Sequence, residues 1–349
     1  MQESESNMPP LPHSVILHIG KGKTGSSSIQ QFLQTNRDVL EFHGIFSVLP
    51  EIPAVGYQLS DFNHPEKFHQ ALQYLKEFSQ KRHFNTILWT NETFEHLTLD
   101  FIHRFRDMFP TSNFRIIVFL RRQDRWIQSA YYQWGIKHKI YPGPVKSFDA
   151  FLNERLKFSP TFSMCFKDYL NYLTLVDRWA SVFGRENIRV QPYEHGQFPE
   201  GLENRFMKLA EFSEDITCRI PQTPSNPSFA SEIYELIRVY NSQFADPHYP
   251  IDLINFFETV LDETWLKPPY ADFSLISPVR CIDILKECDP GNREIAVRYL
   301  NREDGRLFYD PWPNPDAPFE EPKNMTIDAL IPILLDIFLK LFKMIREKD

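Results

Sequence analysis

Residues 114–120 have the sequence FRIIVFL, a nearly continuous run of apolar, β-forming residues. A strand buried on both faces of a parallel sheet has this composition, whereas a half-exposed strand alternates apolar and polar residues. Three further runs, at residues 14–19, 86–90 and 187–193, are also predicted to be strands. Because helical patterns separate these runs, the chain is predicted to be an α/β protein with a doubly wound parallel sheet flanked by helices.

Helices are expected between the strands and throughout the second half of the chain. They are predicted at residues 26–40, 68–78, 124–137, 169–183, 228–241, 251–266, 291–300 and 327–345. The last of these has apolar residues at helical spacing, interrupted by charges. We expect it to pack on the main domain or on a second copy of the chain, which would make a homodimer.

The composition excludes some classes of function. A net charge of −8 argues against a general nucleic-acid-binding protein, which needs a broad basic surface. The four cysteines have no CxxC spacing, so we expect reduced thiols and no zinc site. The N-terminal MQESESNMPPLP lacks the features of a signal peptide, and no run of about 20 apolar residues occurs. A cytoplasmic protein without a membrane span is therefore expected.

The first predicted strand leads into a loop rich in glycine, lysine and serine. Residues 16–30 have the sequence ILHIGKGKTGSSSIQ. A strand, a glycine-rich loop and a helix in this order direct backbone amides and the positive end of a helix dipole at an anion. Lys23 adds a positive charge, and three serines add hydroxyl groups. This segment therefore predicts a phosphate-binding loop.

The nucleoside-triphosphate loop G-x-x-x-x-G-K-[ST] does not match this segment completely. Gly22-Lys23-Thr24 supplies the end of the motif, but its first glycine would fall on Leu17. The frame that starts at Gly20 places serines where the lysine and the hydroxyl residue belong. A P-loop kinase that uses ATP and magnesium remains an alternative, as does a non-catalytic nucleotide-binding protein of the same fold.

The order lysine, hydroxyl, glycine, hydroxyls in KTGSSS resembles the 5′-phosphosulfate loop of sulfotransferases that use 3′-phosphoadenosine 5′-phosphosulfate (PAPS). The surrounding HIG and SIQ are similar to the bacterial-type family. The resemblance implies a P-loop-like sulfotransferase fold and a donor released as adenosine 3′,5′-bisphosphate (PAP). Lys23 would contact the bridging oxygen of the donor. The residues implied to bind the donor here are Lys23, Thr24, Gly25, Ser26, Ser27 and Ser28.

A second segment, FLRRQDRWIQSAYYQ, supports the resemblance. In the family an arginine at the end of the equivalent strand and a serine eight positions later bind the 3′-phosphate, and Arg121 and Ser129 have this spacing. Gln123 stands where the family often has proline, and Arg122 is an alternative anchor. In VQPYEH, Tyr193 resembles the tyrosine near the adenine, although a core tyrosine is nearly as plausible.

The general base is expected where the second predicted strand ends, and relatives use a histidine or a glutamate. Glu92 occupies this position, although a carboxylate there can also simply stabilise a helix N-terminus. His18 is a rival, and His138 and His195 stay open. No metal is expected. The acceptor is expected to be a hydroxyl, or an amine, of a glycan or small metabolite.

The domain organisation follows from these assignments. Residues 1–13 are expected to be a disordered lead-in, and residues 14–304 a sulfotransferase domain. Within the domain, residues 134–175 are rich in aromatic and lysine residues and are expected to form a lid on the acceptor side. A proline-rich connector at residues 305–324 then leads to a C-terminal helix at residues 325–349.

Overall fold

The computed structural model describes residues 10–48, 65–157, 163–221, 229–261, 275–319 and 327–346. Its strands are β1 (Ser14–His18), β2 (Ile45–Val48), β3 (Thr86–Thr90), β4 (Asn113–Leu120), β5 (Arg155–Lys157), β6 (Ser163–Cys165) and β7 (Ile188–Pro192). β1, β3, β4 and β7 are the strands expected from the sequence, to within a residue or two at their ends.

The longer helices fill the segments between and after the strands. They are α1 (Ser26–Thr35), α2 (Arg37–Phe42), α3 (Pro65–Arg82), α4 (Leu99–Met108), α5 (Gln123–Ala130), α6 (Phe148–Asn153), α7 (Tyr172–Phe183), α8 (Leu202–Ala210), α9 (Ser231–Asn241), α10 (Ile251–Val260), α11 (Pro278–Leu300) and α12 (Ile327–Arg346). A π-helical segment, Tyr131–Lys137, directly follows α5.

The chain divides into two units. The first comprises Met1–Arg122, Asn171–Ser225 and Glu287–Pro311, and it contains the main sheet. The second comprises Gln123–Leu170, Asn226–Lys286 and Trp312–Asp349. The described residues of this second unit form helices and the antiparallel strand pair β5–β6.

In the first unit, five strands form a parallel sheet in the order β2-β3-β1-β4-β7. A hydrophobic cluster that includes Trp89, Val118 and Trp179 covers one face, and helices α3, α4 and α7 contribute to it. A second cluster, which includes Ile117 and Phe32, covers the other face with α1 and α8. Since both faces are covered by helices, the predicted doubly wound parallel sheet is confirmed.

The structure departs from the sequence-based expectation in several places of this unit, and helices α4 and α8 were not predicted. The helix predicted at residues 26–40 is interrupted at Asn36, whose side chain accepts from the amide of Arg219 at 2.6 Å and donates to its carbonyl at 2.8 Å. The edge strand β2 was not anticipated, because four residues are too short for a periodicity to be recognised.

The second unit contains the C-terminal helix. Ile333 and Ile337 of α12 are buried, and α12 contacts α10. The predicted helix at residues 251–266 corresponds to α10 up to Val260, and residues 262–266 lie outside the described part of the chain. None of the helices in the described ranges is both long and apolar enough to cross a membrane.

Candidate functional site

The central strand of the sheet indicates where a ligand can bind. β1 pairs with β3 on one side and with β4 on the other. The chain places β2 and β3 on one side of β1 and then crosses to form β4 on the other, so its connections diverge at β1. Open α/β sheets bind ligands in the crevice that such a divergence leaves at the carboxyl ends of the strands. The segments after β1, β3 and β4 therefore form the candidate site.

The loop after β1 first continues the sheet and then packs on the segment after β3. The amide of Lys21 donates to the carbonyl of Phe119 at 3.0 Å, and the amide of Phe119 donates to the carbonyl of Gly20 at 2.9 Å. Gly20 has φ +100°, and a Cβ on it would lie 3.3 Å from both Cα and O of Glu92. Glycine is needed here because the two backbones approach so closely.

Gly25 stands where the loop meets α1. Its φ is +87°, and a Cβ on it would lie 2.4 Å from Cδ2 of Leu202 and 3.4 Å from Cε2 of Tyr193. A side chain is excluded by both the backbone conformation and the available space. The lack of a side chain at Gly25 therefore lets the N-terminus of α1 lie against Tyr193, one of the predicted donor-binding residues.

The hydroxyl groups of the loop have different surroundings. The buried hydroxyl of Thr24 donates to the carbonyl of Lys21, so it holds the shape of the loop. Ser26 is buried, whereas Ser27 and Ser28 are half-buried, and all three belong to the first turn of α1. The N-cap residue of this helix is Gly25, which provides no side-chain cap. The amides and dipole of the helix give the loop a positive potential that suits an anion.

Lys23, Arg121 and Tyr193 lie close together, although they are far apart in sequence. Nη1 of Arg121 donates to the carbonyl of Lys23 at 3.4 Å, and the guanidinium carbon lies 6.0 Å from the ring centroid of Tyr193. Arg121 and Lys23 are both half-exposed, and Lys23 has φ +67°. Two cationic side chains and an aromatic ring thus share the carboxyl edge of the sheet, which is a suitable set for a nucleotide phosphate and base.

Glu92 is the first residue of the short 3₁₀-helix Glu92–His96, and only Asn91 separates it from the end of β3. Burial and the neighbouring Glu95 raise the pKa of its carboxyl group, while Lys23 and the Ser26 hydroxyl oppose this increase. Because Lys23 and Ser26 of the loop act on this carboxyl group, Glu92 lies beside the loop. A carboxylate with a raised pKa next to a lysine has the properties expected of a general base.

A buried ion pair lies beneath the loop and was not anticipated from the sequence. Nζ of Lys21 is 2.7 Å from Oε2 of Glu95, with side-chain exposures of 1% and 4%. The Lys21 ammonium also lies 5.5 Å from the ring centroid of Tyr172, whose hydroxyl donates to the carbonyl of Arg121 at 2.6 Å. The sequence signal was a second lysine two residues before Lys23. Which of the two lysines is buried depends on the loop backbone.

The three histidines that are alternatives to Glu92 as general base lie in different surroundings. Nδ1 of His18 is 2.6 Å from the Thr90 hydroxyl, and burial lowers the pKa of His18 to about 3. A side chain with so low a pKa is a poor base at neutral pH. His138 stacks on Tyr249 in the second unit, with ring centroids 3.5 Å apart. His195 is exposed after β7, with its ring 6.4 Å from that of Tyr193.

Arg122, the alternative phosphate anchor, is buried within the first unit. Its Nη1 donates to the carbonyls of Asp310 and Pro311 at 3.0 and 2.8 Å. These bonds attach the segment after α11 to the end of β4. Arg121 is half-exposed at the end of β4, whereas Arg122 is buried, and the role of either in binding a phosphate stays a prediction.

Ser129 belongs to the second unit, where it is buried on α5. Its part in binding a 3′-phosphate stays a prediction from the spacing in the sequence.

No group of three or more histidine, cysteine, aspartate or glutamate side chains in the described ranges is arranged to hold a metal ion.

Comparisons with known proteins give limited matches. No protein-family model matches the chain. An uncharacterized protein of Archaeoglobus fulgidus is 29% identical over 112 residues. The match covers 32% of this chain and only 26% of that protein, about a quarter of its length.

Solved structures with a similar fold include three that concern sulfo transfer or PAP. A sulfotransferase from Alicyclobacillus acidocaldarius matches 66% of this chain and 92% of its own, with 16% identity and a TM-score of 0.39. A sulfotransferase domain from the curacin biosynthetic pathway matches 81% of this chain and 98% of its own, with 12% identity and a TM-score of 0.33. Retinol dehydratase in complex with androsterone and inactive cofactor PAP matches 87% of this chain and 84% of its own, with 12% identity and a TM-score of 0.35. These values are too low to define the function, which is inferred below from the chain's own residues.

Proposed function

We propose that this chain is a sulfotransferase that moves a sulfo group from PAPS to a hydroxyl or amine of an acceptor. The observation that carries the proposal is the grouping of Lys23, Arg121 and Glu92 at the carboxyl ends of three adjacent strands. Cations of this kind bind the phosphates of a donor, and the carboxylate activates an acceptor. The identity of the donor comes from the resemblance of KTGSSS to the 5′-phosphosulfate loop.

In this proposal the first turn of α1 binds the 5′-phosphate. Backbone amides at a helix N-terminus are effective donors to phosphate, and Ser27 and Ser28 add partly exposed hydroxyls. Arg121 binds the 3′-phosphate through its planar fork of N–H groups, which suits phosphate better than a single ammonium does. Tyr193 packs against the adenine.

The chain's own residues supply two functions to the reaction. Glu92 accepts the proton of the acceptor hydroxyl as the acceptor oxygen bonds to sulfur. The bond between sulfur and the 5′-phosphate oxygen breaks, its electron pair stays on that oxygen, and the Lys23 ammonium stabilises the developing charge. PAPS supplies a sulfo group that is already attached to a good leaving group. Holding both reactants in line provides the remaining acceleration.

We further propose a glycan or small metabolite as acceptor. Aromatic side chains are abundant in residues 134–172, and they suit sugar rings as well as phenols.

Thermal denaturation with nucleotides tests the donor assignment. We expect PAP to raise the melting temperature more than adenosine 5′-monophosphate, which lacks the 3′-phosphate. A ligand at about 100 times its Kd stabilises the folded state by about 2.7 kcal/mol. Lys23→Met and Arg121→Met should weaken the response to PAP. The matched control is Arg293→Met, since Arg293 is exposed and pairs with Asp289 instead.

Stabilisation by ATP with magnesium, without a response to PAP, would contradict the proposal and favour a P-loop kinase. Binding of PAP without sulfo transfer to any member of an acceptor panel would instead favour a non-catalytic nucleotide-binding protein. Sulfo transfer that is unchanged in Lys23→Met would reject the role given to Lys23.

A further inference from the structure

A groove runs along the free edge of the main sheet, at its last strand β7. Its volume is about 820 Å³, within the range of ligand-binding cavities. Ile188, Val190 and Gln191 of β7 line its floor. All the residues that line it belong to the first unit, and the mechanism proposed above uses none of them.

The hydrogen-bonding pattern of β7 leaves main-chain groups directed at this groove. The amide of Tyr193 donates to the carbonyl of Leu120 in β4. Main-chain groups alternate along a strand, so Gln191 and Arg189 also bond to β4. The amide and carbonyl of Val190 therefore face the opposite side. There they can pair with a further strand, as at any sheet edge.

Helices on the two faces of the sheet form the walls of the groove. On one face, Phe206 of α8 packs in a cluster with Phe119. On the other face, Ile295 of α11 packs in a cluster with Val190. The walls bring side chains from both faces of the sheet to the same edge. A ligand in it would contact both walls and the strand between them.

The side chains at this edge are rich in arginine. Five arginines line the groove, and one glutamate, Glu186, lines it with them. The arginines are Arg185, Arg189, Arg205, Arg298 and Arg302. In a chain with a net charge of −8, such a concentration of guanidinium donors favours an anionic ligand.

Several of these arginines also pair with carboxylates outside the lining. Arg298 pairs with Asp177, Arg189 with Glu211 and Arg205 with Glu200, each at 3.0 Å. A guanidinium has five N–H donors, and a carboxylate bound by two of them leaves others for a ligand. The pairs therefore hold the side chains in place and do not exhaust their donors. Arg185 is exposed at the start of the groove, next to Tyr299.

We propose that this groove binds an acidic peptide segment in extended conformation, which adds to β7 as a sixth strand of the sheet. Carboxylates on the peptide would meet the arginines of both walls, and its backbone would bond to the amide and carbonyl of Val190. A polyanion without peptide groups would satisfy the arginines but would leave these main-chain groups without partners. Of the two, the acidic peptide therefore fits the groove better. This inference does not depend on the proposed sulfo transfer.

Fluorescence anisotropy with two labelled peptides tests it. One is a heptapeptide of alternating glutamate and valine, and the other has the same sequence with every second backbone nitrogen methylated. We expect saturable binding of the first peptide and affinity at least about tenfold lower for the second, since methylation removes main-chain donors. Arg185→Glu should weaken binding by about tenfold, and this exposed side chain can be replaced without disturbing the core. Arg293→Glu, outside the groove, makes the same charge change and should leave binding unchanged.

Equal binding of the two peptides would overturn the proposal, as would equal binding by Arg185→Glu and the unmodified chain. Dextran sulfate that binds with the same dependence on Arg185, while the peptide does not bind, would assign the groove to an anionic polysaccharide and also overturn it. Binding of PAP is measured in parallel, since none of the residues proposed above to bind it lines this groove. Failure of the donor assignment can therefore be distinguished from failure of this inference.

Discussion

The ammonium of Lys21 lies 2.7 Å from the carboxylate of Glu95, and both side chains are buried beneath the loop that joins β1 to α1. Arg178 donates to the main-chain carbonyl of Glu95 from α7. The pair thus fixes the loop to the segment after β3, which also contains Glu92. Burial lowers the pKa of Lys21, and Glu95 opposes this effect. Each of the two charges is stabilised by the other, because neither side chain is exposed to water.

Replacing one member of this pair should be more harmful than replacing both. Lys21→Met leaves the Glu95 carboxylate buried without its partner, and we expect the free energy of unfolding to fall by about 3–5 kcal/mol. Lys21→Met combined with Glu95→Gln should recover most of this loss, since no uncompensated charge remains. Urea denaturation of the two variants measures the difference. Equal destabilisation by both would contradict the interdependence.

Arg37→Met provides a matched control for the loss of a surface ion pair. Arg37 and Glu41 also form a close pair, but both are exposed, with side-chain exposures of 49% and 38%. A large loss of stability in this variant would show that the assay does not separate buried from surface pairs.

Glu92 should determine how the proposed activity depends on pH. Burial and Glu95 raise the pKa of Glu92 above the ordinary 4.5. A general base must be deprotonated, so activity should fall with decreasing pH at a midpoint above that value. Glu92→Gln should lower kcat by about 10²–10⁴-fold. The pH dependence of kcat/KM measures the midpoint, and full activity of Glu92→Gln would exclude this role.

Because its pKa is raised, the ionised form of Glu92 should destabilise the folded state. The folded state holds the carboxyl proton more tightly than the unfolded state, so stability is lost as pH rises through the pKa of the folded state. Glu92→Gln should therefore be more stable than the unmodified chain at neutral pH, and the difference should disappear below the ordinary value of 4.5. Melting curves across this range measure it. A variant that is less stable at neutral pH would contradict the assigned environment.

The sequence was sufficient to predict four of the five strands of the sheet, because these strands are apolar runs separated by helical segments, whereas the short edge strand β2 was missed. It also indicated Lys23, Arg121, Glu92 and Tyr193, since each lies within two residues of a strand end or in the glycine-rich loop. Residues that follow parallel strands must lie at one edge, so their proximity results from topology alone.

Other features depend on contacts that local sequence does not reveal. The break in the predicted helix at Asn36 depends on hydrogen bonds to Arg219, 183 residues away. The burial of Lys21 depends on Glu95, 74 residues away, and on the positive φ angles of Gly20 and Lys23 in the loop. Neither an isolated asparagine nor a second lysine predicts such a partner.

Gly25 should be required for both stability and ligand binding. In Gly25→Ala the new Cβ would lie 2.4 Å from Cδ2 of Leu202, at a φ of +87°. We expect a loss of about 1–3 kcal/mol and weaker PAP binding, because the start of α1 must shift. Gly201→Ala is the matched control, since its φ is +91° and no atom lies within 4 Å of the new Cβ. Urea denaturation should show a larger loss for Gly25→Ala, and equal losses would mean that the backbone conformation alone is responsible.

His18 should make the protein sensitive to acid. Burial lowers the pKa of His18 from 6.5 to about 3, so the folded state keeps the ring neutral while the unfolded state binds a proton. The stability from this difference is fully present above pH 6.5 and is lost as pH falls towards 3, by about 1.4 kcal/mol per pH unit. His18→Asn cannot bind a proton in this range, so its free energy of unfolding should fall less steeply with acid. Urea denaturation at a series of pH values compares the slopes, with His195→Asn as the control for loss of an exposed histidine. If His18→Asn had the same slope as the unmodified chain, the ring of His18 would have to be protonated in the folded state as well.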